Sequence, residues 1–239
     1  MGRAYADELT ELPRTYAAVR HADAAPLVDA LRRIGPRPMV YVGSGGSYSV
    51  AVHLQQLHER RASAVARAMT PLELIDADGL GGTPVCLISA NGSHPDILGA
   101  LRHAAARRPD PLIVFCATPE TPLAHLAQGI DGAVVVELDL PRRVDGFLAT
   151  NSLLAMALVG GRAYDALAAA SEQWPDTLDE ILERSLGGGI GQVRDALGTT
   201  DLTIRERVHV LYSPLLKPSA SILKAALPRA GSALSGWQT

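Results

Sequence analysis

Short apolar runs alternate with segments of helical periodicity along most of the chain, at intervals of roughly 25 residues. Most runs are rich in β-branched residues and end at Gly, Ser, Thr or Pro, which is typical of a strand followed by a turn. Strands that alternate with helices predict βαβ units with right-handed crossovers. We therefore expect an α/β fold with a doubly wound sheet of five parallel strands flanked by helices. The predicted strands are 38–42, 62–68, 84–88, 111–116 and 132–138.

Helices are predicted on both sides of this alternating region. Two precede it, over 4–20 and 23–34, and a long one follows over 147–170. The long helix is apolar nearly all round, so it is either buried in its own domain or packed on a partner. Further along, the pattern weakens and one more strand, 207–212, begins a second, partial α/β unit. The predicted division is N-terminal helices (1–35), the α/β domain (36–172), and linker helices with the incomplete second unit (173–239).

The composition is that of an ordinary globular protein, with 239 residues, 47% hydrophobic and 20% charged. A net charge of −3 and an aromatic content of 4% argue against a nucleic-acid partner, which favours basic and base-stacking residues. The N-terminal segment lacks an apolar signal core, and no run reaches the ~18 apolar residues of a membrane span. We therefore expect no membrane partner and a cytoplasmic location. Cys86 and Cys116 lie in predicted buried strands without metal-type spacing, so no metal site is expected.

The first candidate site is the turn Gly43-Ser44-Gly45-Gly46-Ser47, where a predicted strand leads into a helix. Backbone N–H groups and the helix dipole favour an anion at such a turn, and the two serine hydroxyls add donors. Dinucleotide binding is disfavoured, because Tyr48 occupies the third glycine position and Val65 stands where an acid is needed. An ATP phosphate loop is also disfavoured, because no Gly-Lys-Ser/Thr occurs. A tight turn without a ligand remains the alternative.

A second turn, Ser89-Ala90-Asn91-Gly92-Ser93-His94, repeats this arrangement after the next strong strand. Carboxyl ends of parallel strands share one edge of the sheet, so the two turns can converge on one phosphate. Alternatively, Ser93 caps the following helix with Pro95 in its first turn, and His94 is either an acid/base group or a surface residue. A third cluster, 145–152, opens the long helix and either belongs to a site or is only a capped helix start.

Four segments together resemble the sugar isomerase (SIS) domain family, in particular the isomerase half of glucosamine-6-phosphate synthase. Residues 8–13 are similar to its Glu-x-x-Glu-x-Pro helix, and 43–48 to its first Ser-bearing turn. Residues 89–96 are similar to its Ser-Gln-Ser-Gly-Glu-Thr turn, and 149–151 to its Ser-Thr-Lys stretch. The segments occur in the family's order within about residues 5–170. The resemblance implies a phosphosugar ligand and no cofactor.

The resemblance assigns phosphate contacts to Ser47 in the first turn and to Ser89, Asn91 and His94 in the second. It also implies departures, because Ala90, Ala149 and Asn151 stand where the family has Gln, Ser and Lys. The family's catalytic Glu and a nearby Lys fall near Ala230 and Leu227, so catalytic residues are left unassigned. The expected binding residues are Ser44, Gly45, Gly46, Ser47, Ser89, Asn91, Gly92, Ser93 and His94.

Three functions stay open at this point. The first is binding of an amino-sugar or hexose phosphate. The third, an interaction module with a vestigial site, needs no catalytic residue. The second is aldose–ketose isomerisation or amino-sugar deamination, which needs an acid and a base over adjacent carbons; Glu73, Glu137 and Asp139 are the unused acids near strand ends. A serine hydrolase is a poor fit, because no G-x-S-x-G elbow joins a strand to a helix. The family's paired domains and the long apolar helix imply a homodimer.

Overall fold

The computed structural model describes residues 5–140, 149–168 and 174–181, and the backbone of 210–211 and 236–237. The chain divides into two compact units, Met1–Glu172 and Gln173–Thr239. The first unit has five strands: β1 (Met39–Val42), β2 (Ala66–Met69), β3 (Val85–Ser89), β4 (Leu112–Cys116) and β5 (Val134–Glu137). Its helices are α1 (Tyr5–Val19), α2 (Ala25–Ile34), α3 (Gly46–Arg61), α4 (Pro71–Asp76), α5 (Pro95–Ala106), α6 (Pro122–Gln128) and α7 (Thr150–Leu167).

The five strands form one parallel sheet in the order β2-β1-β3-β4-β5. Tyr41 of β1 lies opposite Ala68 of β2 on one side and Cys86 of β3 on the other. The chain therefore moves outward from β1 to β2 and then crosses back to β3. This confirms the predicted doubly wound α/β fold and places its switch point between β1 and β3, where ligands bind in sheets of this kind.

The strength of each strand prediction follows how deeply the strand is buried. The central strands β3 and β4 are almost wholly buried, and both were predicted from continuous apolar runs. Their two cysteines, Cys86 and Cys116, are buried free thiols. The weakest prediction, 62–68, is shifted along the chain, because Ser63 takes a positive φ of 52° and the chain turns before the edge strand β2 begins.

Helices cover both faces of the sheet. The helices α4, α5 and α6 pack on one face, and α7 packs against α1, α2 and α3 on the other. Buried side chains on α7 include Met156 and Val159, so its apolar surface is covered within the unit. The helix begins at Thr150 instead of 147, and residues 141–148 lie outside the described residues. The homodimer stays a prediction, which light scattering would check.

A buried polar chain of three side chains joins β1, α3 and α7. The Nε2 atom of His58 lies 2.9 Å from the carbonyl oxygen of Arg37, which only accepts, so Nε2 carries the proton. Nδ1 then accepts from the Tyr164 hydroxyl at 2.9 Å, and the Tyr164 oxygen accepts from Tyr41. Both ring nitrogens of His58 and both tyrosine hydroxyls therefore have a hydrogen-bond partner. This arrangement favours the neutral form of His58 in the folded protein.

We expect acid to destabilise the protein through this histidine. Burial lowers the pKa of His58 below its ordinary value, and burial does the same to His53. Below about pH 6.5 His58 is protonated in the unfolded chain. In the folded protein it is protonated only at a lower pH, because its pKa is lower there. The contribution of each histidine to the free energy of unfolding is therefore greatest above about pH 6.5. It decreases as the pH is lowered further, by at most about 1.4 kcal/mol per pH unit for each histidine.

Urea titrations from about pH 8 to about pH 5 would measure this slope. His58→Phe removes one titrating group, so the free energy of unfolding changes less steeply with pH. The variant is nevertheless less stable than wild type at pH 8. His53→Phe is the matched variant on the same helix and removes the second contribution. A wild-type slope that neither substitution changes would contradict the assignment.

The second unit is described in three short segments. Residues 178–181 are helical, in the region where linker helices are predicted. Strand β6 (Val210–Leu211) pairs in parallel with β7 (Gly236–Trp237). The partial second α/β unit stays a prediction. In the described part of the chain, no helix is both long and apolar enough to cross a membrane.

Candidate functional site

A cavity of about 170 Å³ lies at the carboxyl ends of β1 and β3, where the strand order reverses. Its walls come from the β1–α3 turn, the β3–α5 turn and the first two turns of α7. This brings together six of the nine residues expected from the sequence. The lining residues are Ser44, Gly46, Ser47, Ser89, Ala90, Asn91, His94, Ala149, Ser152, Leu153 and Met156.

The β1–α3 turn presents hydroxyl groups at the amino end of a sixteen-residue helix. The Ser47 and Tyr48 amides donate to the carbonyls of Ser44 and Gly45, both at 3.1 Å, and close the turn. Gly45 is the N-cap of α3 with φ of 54°, a conformation that favours glycine. It supports the turn and does not line the cavity. The donors that this turn contributes to the cavity wall are therefore the hydroxyls of Ser44 and Ser47 and the amide of Gly46.

The β3–α5 turn presents a hydroxyl and a side-chain amide. The Ser89 Oγ accepts from the Gly92 amide at 3.0 Å, which leaves its own proton for a ligand. The Asn91 Oδ1 accepts from the Ser93 hydroxyl at 3.0 Å. Because Oδ1 faces that donor, the Asn91 NH₂ group is the end that remains for the cavity.

Gly92 and Ser93, expected in the phosphate cradle, support the turn from outside the cavity lining. Gly92 has φ of 61°, and an added Cβ would lie 2.7 Å from the Cβ of Thr121. Its carbonyl accepts from the Leu123 amide at 3.1 Å, so glycine lets α6 pack directly under the turn. Ser93 orients Asn91 and does not cap α5.

The cap of α5 is His94, so the alternative that assigned this role to Ser93 is wrong. The His94 Nδ1 accepts from the Asp96 amide at 3.3 Å, and Pro95 follows in the first helical turn. Its Nε2 then carries the proton in the neutral ring. The side chain is 66% exposed, so His94 is a surface residue that also borders the cavity.

The α7 wall was largely missed from the sequence. Ala149, Ser152, Leu153 and Met156 all line the cavity, and of these only Ala149 and Ser152 belong to the third candidate cluster of the sequence. Their spacing of i, i+3, i+4 and i+7 is that of one helix face. Applied from Ala149, this spacing would have found the other three. The predicted capped start is also different, because N-cap Ala149 is in the left-handed region and forms no side-chain cap.

No family model matches the sequence, and no curated protein matches it. Tagatose-6-phosphate ketose/aldose isomerase from Escherichia coli superimposes with a TM-score of 0.67 and 20% identity, over 100% of this chain and 69% of that one. Glucosamine-6-phosphate deaminase from Thermotoga maritima gives 0.64 and 19%, over 98% and 68%. The C-terminal domain of glucosamine-fructose-6-phosphate aminotransferase from Francisella tularensis gives 0.62 and 16%, over 91% and 64%. The fold is that of a sugar isomerase (SIS) domain.

The four SIS-like segments of the sequence meet in the structure. The two turns and the start of α7 line one cavity, and Glu8 of α1 accepts a hydrogen bond from Thr150 at the start of α7. The chain spans about two thirds of the length of the three SIS neighbours. The segments that resemble the family are therefore neighbours in space.

The acids considered for isomerase chemistry do not line this cavity. Glu73 belongs to a capping box on α4, where hydrogen bonds from Thr70 hold the pKa of its carboxyl below the ordinary value. The Glu137 Oε1 accepts from the Thr121 amide at 3.2 Å, at the start of α6. Among the lining residues, His94 is the titratable side chain. Isomerase activity stays a prediction.

Proposed function

We propose that this chain binds a phosphorylated sugar, an amino-sugar or hexose phosphate, in the cavity between β1 and β3. The observation that carries the proposal is the convergence of two donor-rich turns on one cavity at the switch point of the sheet. The phosphate lies at the two turns, and the sugar extends toward α7. The named substrates of the SIS-fold neighbours, tagatose 6-phosphate and glucosamine 6-phosphate, support this ligand class.

Neutral donors and a helix end hold the phosphate in this proposal. The amino end of α3 carries roughly half a positive charge from its macrodipole, and Ser47 lies in its first turn. The Ser44 hydroxyl adds a hydrogen bond from the same turn, and the Ser89 hydroxyl and the Asn91 amide group add others from the β3–α5 turn. Hydrogen bonds to an ionised acceptor are about twice as strong as neutral ones, so several of them can hold a phosphate.

We expect Ser47→Ala to weaken sugar-phosphate binding by roughly 1–2 kcal/mol, or about tenfold, which is near the lower end of the values for a hydrogen bond to a charged group. Ser89→Ala loses a comparable amount of affinity and also loses the acceptor of the Gly92 amide. Isothermal titration with glucosamine 6-phosphate, glucose 6-phosphate and unphosphorylated glucosamine measures these differences. Only the phosphorylated sugars are expected to bind.

The matched control is Ser49→Ala, which removes a hydroxyl from the same helix at a buried position outside the cavity lining. Thermal unfolding gives an independent readout, because a ligand at a hundredfold excess over its Kd adds about 2.7 kcal/mol to the free energy of unfolding. Unchanged affinity in both Ser47→Ala and Ser89→Ala would remove this site assignment. Absence of any stabilisation by sugar phosphates would favour an interaction module.

A further inference from the structure

A buried carboxylate from α1 occupies the amino end of α7. The Glu8 Oε2 accepts from the Thr150 hydroxyl at 3.0 Å and from the Thr150 amide at 3.3 Å. Only 1% of Glu8 is exposed. The helix has no cap from its own N-cap residue, so the acid that meets this helix end comes from 142 residues earlier in the chain.

This carboxylate is held in place by a second set of contacts. The side-chain amide of Asn151 donates to the Glu8 carbonyl at 3.1 Å. The Asn151 Oδ1 accepts from the Thr15 hydroxyl at 2.6 Å. Two points on α1 are thereby tied to one residue of α7, so the Glu8 side chain has a fixed position at the helix end.

The charge of Glu8 exceeds what the helix end can neutralise. A helix macrodipole is equivalent to about half a positive charge at the amino end, and an ionised carboxylate carries a full negative one. The second oxygen of Glu8, Oε1, is buried and has no hydrogen-bond partner among the described residues. With Glu8 ionised, the amino end of α7 carries a net negative charge, whereas the amino end of α3 keeps its positive character.

The position of Glu8 connects this charge to the cavity. Its partner Thr150 lies in the chain between Ala149 and Ser152, which both line the cavity wall. The part of the lining formed by the β1 and β3 turns is thus rich in donors, and the part formed by α7 is backed by the buried Glu8 carboxylate. A ligand that spans the cavity meets attraction for an anion at one end and repulsion at the other.

We propose that Glu8 is a specificity-determining residue that restricts the site to ligands with a single anionic group. That group is directed to the two turns, and a second phosphate or carboxylate near α7 is rejected. The inference rests on the proposed function, because it concerns the end of the sugar opposite the phosphate. At an effective dielectric constant of about 20, two unit charges roughly 12 Å apart interact strongly enough to change affinity about tenfold.

Isothermal titration with fructose 6-phosphate and fructose 1,6-bisphosphate tests this rejection. Wild-type protein is expected to bind the monophosphate about tenfold more tightly than the bisphosphate. Glu8→Gln keeps an oxygen for Thr150 but removes the charge, so the preference falls to about threefold or less through tighter binding of the bisphosphate. Glu11→Gln removes the same charge one turn further along α1 and leaves the preference unchanged.

The outcomes separate the two proposals. Monophosphate binding with equal affinity for the bisphosphate, or an unchanged preference in folded Glu8→Gln, overturns the role of Glu8 and leaves the proposed function standing. Failure of wild-type protein to bind the monophosphate overturns both. If Glu8→Gln does not fold, wild-type preference is measured from about 50 to about 500 mM NaCl. Screening narrows the preference if the second phosphate is repelled, and a preference that widens or stays constant overturns the role.

Discussion

Gly43→Ala is expected to unfold the β1–α3 turn and remove ligand binding together. A Cβ added at Gly43 would lie 2.5 Å from the carbonyl oxygen of Ser47 and 2.9 Å from the amide nitrogen of Tyr48. Both are backbone atoms of the first turn of α3, so they cannot move aside as a flexible side chain could. We expect the free energy of unfolding to fall by about 3 kcal/mol, at the upper end for overpacking.

Affinity for a sugar phosphate falls by about a hundredfold in the same variant. The close contacts displace Ser47 from the cavity wall. Loss of the Ser47 hydrogen bond and of one more hydrogen bond from the same turn, both to the charged phosphate, amounts to roughly 3 kcal/mol. Chemical denaturation and titration calorimetry measure the two effects. Gly81→Ala is the control, because an added Cβ there meets no atom within 4 Å. Wild-type stability in Gly43→Ala would show that the turn is not packed as described.

Tyr164→Phe is expected to cost more stability than Tyr41→Phe, although both remove one buried hydroxyl. The Tyr164 hydroxyl donates to His58 and accepts from Tyr41, so its loss leaves two buried groups without partners. Each unsatisfied buried group costs about 1–3 kcal/mol, which predicts a loss of about 3 kcal/mol. Loss of the Tyr41 hydroxyl leaves the bond between Tyr164 and His58 intact and is expected to cost about 1 kcal/mol.

Urea denaturation of the two single variants and the double variant measures this difference. In Tyr41→Phe/Tyr164→Phe the orphaned Tyr41 donor is removed as well, so the double variant loses less than the sum of the single losses. Equal losses in the two single variants would contradict the direction of hydrogen bonding that the Arg37 carbonyl imposes on His58.

The fold was largely predictable because a parallel sheet covered on both faces requires long apolar runs. Such runs marked β3 and β4 closely, since these strands are buried on both sides. Edge strand β2 has one strand neighbour and carries exposed Arg67, so its sequence, Ala-Arg-Ala-Met, gives a weak pattern. The strand order itself depends on how crossovers pack, which periodicity does not report.

The site was predictable where it is local in sequence and not where it is assembled by packing. The two turns follow their strands directly, so glycine and serine clusters revealed them. Ser152 and Met156 reach the cavity because α7 packs against α3, more than a hundred residues earlier in sequence. Glu8 has a role at α7 only because α1 packs there too. Contacts of this range leave no local pattern, and family resemblance supplied the only sequence signal for them.

The opposite edge of the sheet has a practical consequence for studying this protein. The loop 77–84 precedes β3, so the five residues of that strand, about 16 Å, separate it from the cavity. A side chain added at Gly81 in this loop would have open space around its Cβ. The two native thiols are poorly reactive, because burial raises their pKa, that of Cys116 to about 11. A cysteine introduced at Gly81 would be the reactive thiol for attaching a fluorophore or a surface tether. Ligand binding could then be observed from the side of the sheet that the ligand does not touch.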